Sequence, residues 1–305
     1  MQEDANIIDP NSQRLYWNIY LGLEKEFSRI AELVCIDDAQ LNVYSLKIAE
    51  LLIRTVVEIE AISKDLFAAA GGTFAEGNPF FDTDCLAYLE KQWGIERRVV
   101  FVTSPHVYLS KEQKTLCPLK DASRRGKGAW KKAYNAVKHN GRVDVKQGNI
   151  GNLMSALAAL YLLNVYYKGF SAPLEVGDDN AIRSFDASLG SDIFSVGVKD
   201  IRGGVSSGGV RTKKGDFGEC VYLIKASEAS AQKLVDGMAR AFVPVNERWQ
   251  AIMKAHGGVK PPEKVWERFR NAELAKAQPE IQRVLNEAYK LIRYEAVLNF
   301  NQFNV

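Results

Sequence analysis

Apolar residues recur at three- and four-residue steps over most of this chain, and that spacing predicts helices. Leu15, Ile19, Leu23, Phe27, Ile30 and Val34 define the first, which Asn11 or Ser12 can cap. A longer helix is expected after Asp37-Asp38, ending at Ala70 before Gly71-Gly72. Its stripe is Leu41, Tyr44, Ile48, Leu51, Thr55, Ile59, Ile62 and Leu66. The short gap between the two predicts an antiparallel pair. Three more helices follow: one over about Asp84–Trp93, a basic one opened by Gly126-Lys127-Gly128 and closed by Asn140-Gly141, and an uncharged one over Asn152–Lys168.

β-branched and aromatic runs mark the strands. Val99-Val100-Phe101-Val102 reads as one. Beyond Pro173, Ile193–Val198 and Cys220–Ile224 flank a glycine-rich, basic connection, which predicts a long-looped hairpin sharing a sheet with Val99–Val102. Helices return over Ser227–His256, with Leu234, Met238, Phe242, Val245, Trp249 and Ile252 as a seam and a kink at Pro244. Pro261-Pro262 and Pro279 punctuate two last helices, the final one carrying Ile281, Leu285, Ala288, Ile292 and Ala296. The fold class is therefore mainly α. A helical bundle occupies residues 1–175, and a small β-hairpin with C-terminal helices, packed on or extending the bundle, occupies 176–305.

Composition narrows the picture. A chain of 305 residues with 47% hydrophobic and 25% charged residues has the make-up of an ordinary globular protein. Cys35, Cys85, Cys117 and Cys220 lie far apart, as do His106, His139 and His256, so no metal site and no cofactor are expected. Sparse thiols suit a reducing compartment, and the acidic stretch Met1–Pro10 lacks the marks of a signal peptide, so a cytoplasmic location is expected. Residues 147–167 carry no charge, but the apolar part, Leu153–Tyr167, reaches only about 22 Å as a helix, short of a hydrocarbon core of about 30 Å. A buried central helix is the reading, and no membrane partner.

Charge changes the picture more. Net charge is only +3, yet residues 111–146 hold eleven Lys/Arg against Glu112, Asp121 and Asp144, or +8, leaving −5 elsewhere. An anionic partner is expected at that segment. On a wheel of the basic helix Trp130, Ala133, Tyr134 and Val137 gather on one side, and Lys131, Lys132, Asn135, Lys138, His139 and Arg142 on the other. A solvated amphipathic helix explains this arrangement by itself.

An asparagine, a lysine and a histidine in this order near a helix end, within a helical core, resemble the HEPN superfamily of nucleotide-binding helical domains. The match covers about residues 12–170. Its ribonuclease members carry an arginine, then a polar residue, then a histidine. Asn135 matches the polar position and His139 the histidine, while Tyr134 stands where the arginine belongs. The phrase Trp130…Tyr134-Asn135…Lys138-His139…Arg142 also resembles bacterial phage-defence proteins of the abortive-infection type.

The resemblance implies a protein that binds RNA or a nucleotide through the basic helix, and metal-independent RNA cleavage with His139 moving protons and Asn135 orienting the phosphate. Lys131, Lys132, Lys138, Arg142, Arg124 and Arg125 would supply phosphate contacts, with Lys138, Arg142 or the Arg124-Arg125 pair standing in for the missing arginine. Arg54, Glu58 and Tyr134 would stand behind them. A homodimer built around two copies of the helix is implied too, and a protein partner from the same defence system. The competing reading is a non-catalytic helical interaction or sensor module that docks a protein partner or dimerises.

Overall fold

The computed structural model describes residues 10–73, 77–169, 171–174, 185–201, 205–206, 209–210, 217–259 and 262–300. In chain order the helices are α1 (Pro10–Leu33), α2 (Leu46–Ala69), α3 (Ala87–Trp93), α4 (Ala129–Asp144), α5 (Ile150–Lys168), α6 (Glu228–Ala255) and α7 (Glu263–Leu291). The strands are β1 (Val100–Val102), β2 (Thr115–Leu116), β3 (Ala172–Leu174), β4 (Phe194–Val196), β5 (Val198–Asp200), β6 (Val205–Ser206), β7 (Gly209–Val210), β8 (Tyr222–Ala226) and β9 (Tyr294–Leu298). The protein is mainly α, as its periodicity predicts. It forms two compact units that do not follow a single cut in the chain: residues 185–224 and 297–305 belong with 1–171, and the second unit comprises 172–184 and 225–296.

In the first unit α5 is the central post. Every residue from Ala156 to Tyr167 is buried, and the helix touches α1, α2, α4 and β4. Each large apolar side chain so buried stabilises the fold by roughly 1.5–3 kcal/mol. Asn164, the polar exception, donates back to the Leu160 carbonyl at 3.0 Å. The Asn149 side chain caps the helix start by accepting from Asn152 N, and Gly169, at φ 59°, ends it. This apolar stretch is the one candidate span among the described residues by length and composition, and 83% of it is buried within the protein.

Around the post, α2 buries Ile48, Leu51, Thr55, Ile59, Ile62 and Leu66 as predicted, and Ser45 caps it. Tyr44 and Leu15 are exposed instead. Tyr44 falls before α2 starts, because a 3-10 turn (Asp38–Asn42) fills the link from α1. On α1 the buried set turns toward Tyr20, Leu23 and Phe27 and takes in Glu24. That carboxylate accepts from Tyr20 Oη at 2.6 Å and Ile193 N at 3.2 Å, and from the Ser191 hydroxyl.

β1 pairs antiparallel with β2 and with β4, with Phe101 opposite Thr115 and Ser195, so the predicted sharing of a sheet with Val99–Val102 holds for β4. The predicted hairpin does not form: β5 runs parallel to β8, Val198 facing Tyr222 and Asp200 facing Ile224. A connection this long can cross back to the starting end, which parallel pairing requires. Within that connection β6 and β7 make a small antiparallel pair, while 202–204, 207–208 and 211–216, with the Gly203-Gly204 and Thr212-Lys213-Lys214 motifs, lie outside the described residues. Arg98, fully buried, ties the unit together. Its guanidinium donates to Tyr166 Oη (2.8 Å) and to the carbonyls of Gly218 (2.5 Å), Asn299 (3.0 Å) and Trp93.

The second unit is a long helical hairpin with β3 paired antiparallel to β9. Gly237 faces Val284, Arg248 pairs with Glu273, and the Trp249 ring meets Trp266 at a tilt, so α6 and α7 run antiparallel. α7 passes unbroken through Pro279, which was expected to separate two helices, and α6 passes through Pro244. Both prolines are on exposed turns, where water can take up the carbonyl each leaves unpaired. Ile292 and Ala296 are corrected too. The chain leaves the helix after Leu291, and the alternation in Tyr294–Leu298 makes β9. The side chains of Leu234, Ala288 and Asn11, and Pro261 whole, are outside the described residues.

Candidate functional site

The basic helix α4 starts at Gly128, whose φ of 82° favours glycine, and its predicted apolar face is buried: Trp130, Ala133, Tyr134 and Val137. Trp130 Nε1 donates to the Pro118 carbonyl at 2.8 Å. Asn140 and Gly141 do not close the helix but break it. Asn140 leaves helical geometry (φ −131°, ψ 39°) and the chain resumes helical turns to Asp144.

Between α2, the segment around Phe80 and α4 lies an open cleft of about 530 Å³. Lys64 and Glu60 line it from α2, Arg125 from the loop before α4, and Lys131, Tyr134, Asn135 and Lys138 from α4 itself. Pro79 to Thr83 form the remaining wall and lead into a π turn (Phe81–Leu86), a rare geometry that is often found at functional sites.

Lys131 is corrected from a phosphate contact to a structural cation. It is only 2% exposed, and its ammonium donates to Asp82 Oδ2 at 2.8 Å and to the carbonyls of Ala122 and Arg124, each at 2.7 Å. All its protons are engaged, so it fixes the π turn and the 122–124 loop to α4 instead of reaching a ligand.

Tyr134, at the arginine's place, has a buried ring whose hydroxyl accepts from Lys138 Nζ at 3.0 Å, with that nitrogen 5.1 Å from the ring centroid. The hydrogen bond to Tyr134, with the charge of Glu60 adding to it, raises the Lys138 ammonium above the ordinary lysine value. Tyr134 thus positions a cation that it does not itself carry.

The other expected contacts divide. Asn135 and Arg125 are exposed and line the cleft. Lys132, His139 and Arg142 are exposed but do not line it, and Arg142 lies beyond the Asn140 break. His139 makes no hydrogen bond or ion pair with the described residues. Arg124 pairs with Asp121 at 3.1 Å, away from the cleft. Arg54 and Glu58 do not line the cleft. Burial raises Glu58, and its charge acts on Tyr16 of α1, whose hydroxyl donates to Asp65 at 2.8 Å. Glu60, two residues on and so about 200° around the helix, is the one that faces the cleft.

Lys64, Glu60, Phe80 and Asp82 escaped the sequence reading. The signal for the last two was an adjacent aromatic pair, Phe80-Phe81, followed by two acids, Asp82 and Asp84. A larger groove, of about 630 Å³, lies between α6 and α7, lined by Lys233, Arg240 and an Arg283 that is bonded to Glu280 and Glu287. Among the described residues, no group of three or more His, Cys, Asp or Glu side chains is placed to hold a metal. Compared with protein-family models, curated proteins and solved structures, the chain matches none.

Proposed function

We propose that this protein binds RNA or a nucleotide in the cleft beside α4. One observation carries the reading: Lys64, Arg125 and Lys138 converge with the Asn135 amide on a single open cavity. Cations and an amide in that arrangement suit a phosphodiester, the cations for charge and the amide for a hydrogen bond to sugar or base. The HEPN-like and defence-type relationship and a partner from the same system belong to this reading through the motif resemblance alone, and the cytoplasmic setting through the sparse cysteines and the acidic first ten residues. Cleavage has less support than binding. His139 is exposed but stands beside the cleft, and Lys138 must take the charge-stabilising part of the absent arginine.

RNA affinity measured over a range of salt tests the reading. The logarithm of the binding constant falls linearly with the logarithm of salt, by about 0.7 per phosphate contact for a single strand. Lys138→Ala and Arg125→Ala should each weaken binding and flatten that slope by about one contact. Salt-insensitive binding, or none, defeats the proposal. RNA cleaved by the wild type and spared by His139→Ala would add the catalytic step.

A second reading has one observation in its favour. Val143, 77% exposed, lies four residues after His139, past the Asn140 break, and offers an apolar side chain for a partner or a second copy to cover. Sedimentation of wild type and Val143→Asp separates the two. An assembly lost in the variant, with RNA affinity unchanged, favours the docking module.

A further inference from the structure

We propose that Phe80 is a stacking platform for an unpaired base, so that the cleft takes single-stranded RNA in preference to duplex; this rests on the RNA-binding reading above. Phe80 is 71% exposed, yet its backbone is held at both polar groups. Its N–H donates to Asp84 Oδ2 at 2.8 Å, and its carbonyl accepts from Asp84 N at 3.1 Å and Cys85 N at 3.2 Å. The π turn that it opens is anchored by Cys85 and Leu86, which are 0% and 1% exposed.

A lone exposed phenylalanine is ordinary. This one sits on a backbone already fixed, so little further order is lost when a flat ring settles on it, and a pre-organised group binds more tightly for that reason.

Its neighbours decide the class of ring. The same cleft carries Lys64, Arg125 and Lys138 against the carboxylate of Glu60, with Asp82 already paired to Lys131, so its cationic excess favours a guest that joins a flat π face to negative charge. A nucleotide has both, and the cavity of about 530 Å³ falls within the range of roughly 300–1,000 Å³ usual for small-molecule sites. The Asn135 amide, on the facing helix, can donate to and accept from a base edge. In a duplex both faces of each base are covered by stacking, so Phe80 has nothing to rest on. Double-stranded RNA is read by its backbone and shape instead.

The test is an anisotropy titration of the full chain with a labelled oligoadenylate, alone and annealed to its complement, for wild type, Phe80→Ala, Phe80→Leu and Phe80→Trp. The wild type should prefer the single strand. Phe80→Ala should lose roughly tenfold in single-strand affinity while keeping its duplex affinity and its salt slope. Phe80→Trp should bind the single strand at least as well as wild type, and Phe80→Leu should resemble the alanine variant. Because the side chain is exposed, circular dichroism should show all three folded. Wild-type affinity in Phe80→Ala or Phe80→Leu overturns the stacking proposal. If Lys138→Ala and Arg125→Ala still flatten the salt slope, RNA binding survives that failure; a wild type with no RNA affinity overturns both.

Discussion

Replacing Lys131 by methionine keeps the aliphatic stem and removes the ammonium. The loss strips a carboxylate of its counter-ion and two carbonyls of their donor: Asp82 Oδ2 at 2.8 Å, and the Ala122 and Arg124 oxygens at 2.7 Å. Taking one partner from a buried ion pair costs about 3–5 kcal/mol. Asp82 retains 17% of its side-chain exposure, so water recovers part of that cost, and we expect about 2–4 kcal/mol. Asp82→Asn keeps an oxygen to accept the lysine and should cost about 1–2 kcal/mol. The double variant should be more stable than the sum of the two losses by at least about 1 kcal/mol, because its groups no longer miss each other. Denaturant titration followed by tryptophan fluorescence reads this, since Trp130 is the neighbouring residue and is buried. A Lys131→Met protein within about 0.5 kcal/mol of wild type, or a strictly additive double variant, refutes the buried-pair argument. The variant should also weaken RNA binding, because Arg125 follows the loop that Lys131 holds.

Two further outcomes follow from buried cations. Arg98→Lys should destabilise the protein by about 3 kcal/mol or more, since a single ammonium cannot span Tyr166 Oη and the carbonyls of Gly218 and Asn299; a loss below about 1 kcal/mol in the same titration contradicts the fork geometry. Lys168 lies over the Trp17 ring, and burial lowers its ammonium to about 8. The unfolded chain therefore holds the extra proton between that value and about 10.4, so the Lys168 contribution to stability rises with pH across that window. With about half its amine neutral at pH 8, Lys168 should lead the other lysines in limited acylation read by mass spectrometry, and an ordinary rate there would refute the shift.

What could be read from the sequence depended on whether local pattern or tertiary cover decides the outcome. The α5 helix is apolar on all sides, so its burial needs no knowledge of its neighbours. The same holds for α2, where one stripe of Ile and Leu faces inward. The pairing of β5 with β8 was not legible, because a hairpin and a crossover have the same strand pattern and differ only in the path between. Ile292–Ala296 went astray for a related reason. Ile292 and Ala296 are four apart, a spacing that continues a helix, while the intervening Tyr294-Glu295 alternation fits a strand, and pairing with β3 selects the strand.

The candidate site shows the same division within a single helix. At about 100° per residue, Lys131, Tyr134, Asn135 and Lys138 centre near one azimuth, and these are the α4 residues that line the cleft. His139 lies about 90° from that centre, which accounts for its place beside the cleft although it neighbours Asn135 along the helix. Lys131 and Lys138 differ by only about 20°, so a wheel treats them as equivalent. One is sealed by Asp82 and the 122–124 loop, and the other stays exposed two turns later against Tyr134. Azimuth is written in the sequence, but what covers each turn is set by segments distant in the chain. A charged face read from periodicity therefore contains both cations that face the cleft and cations that hold its walls, and only Lys138 and Arg125 among the expected cations are exposed along its lining.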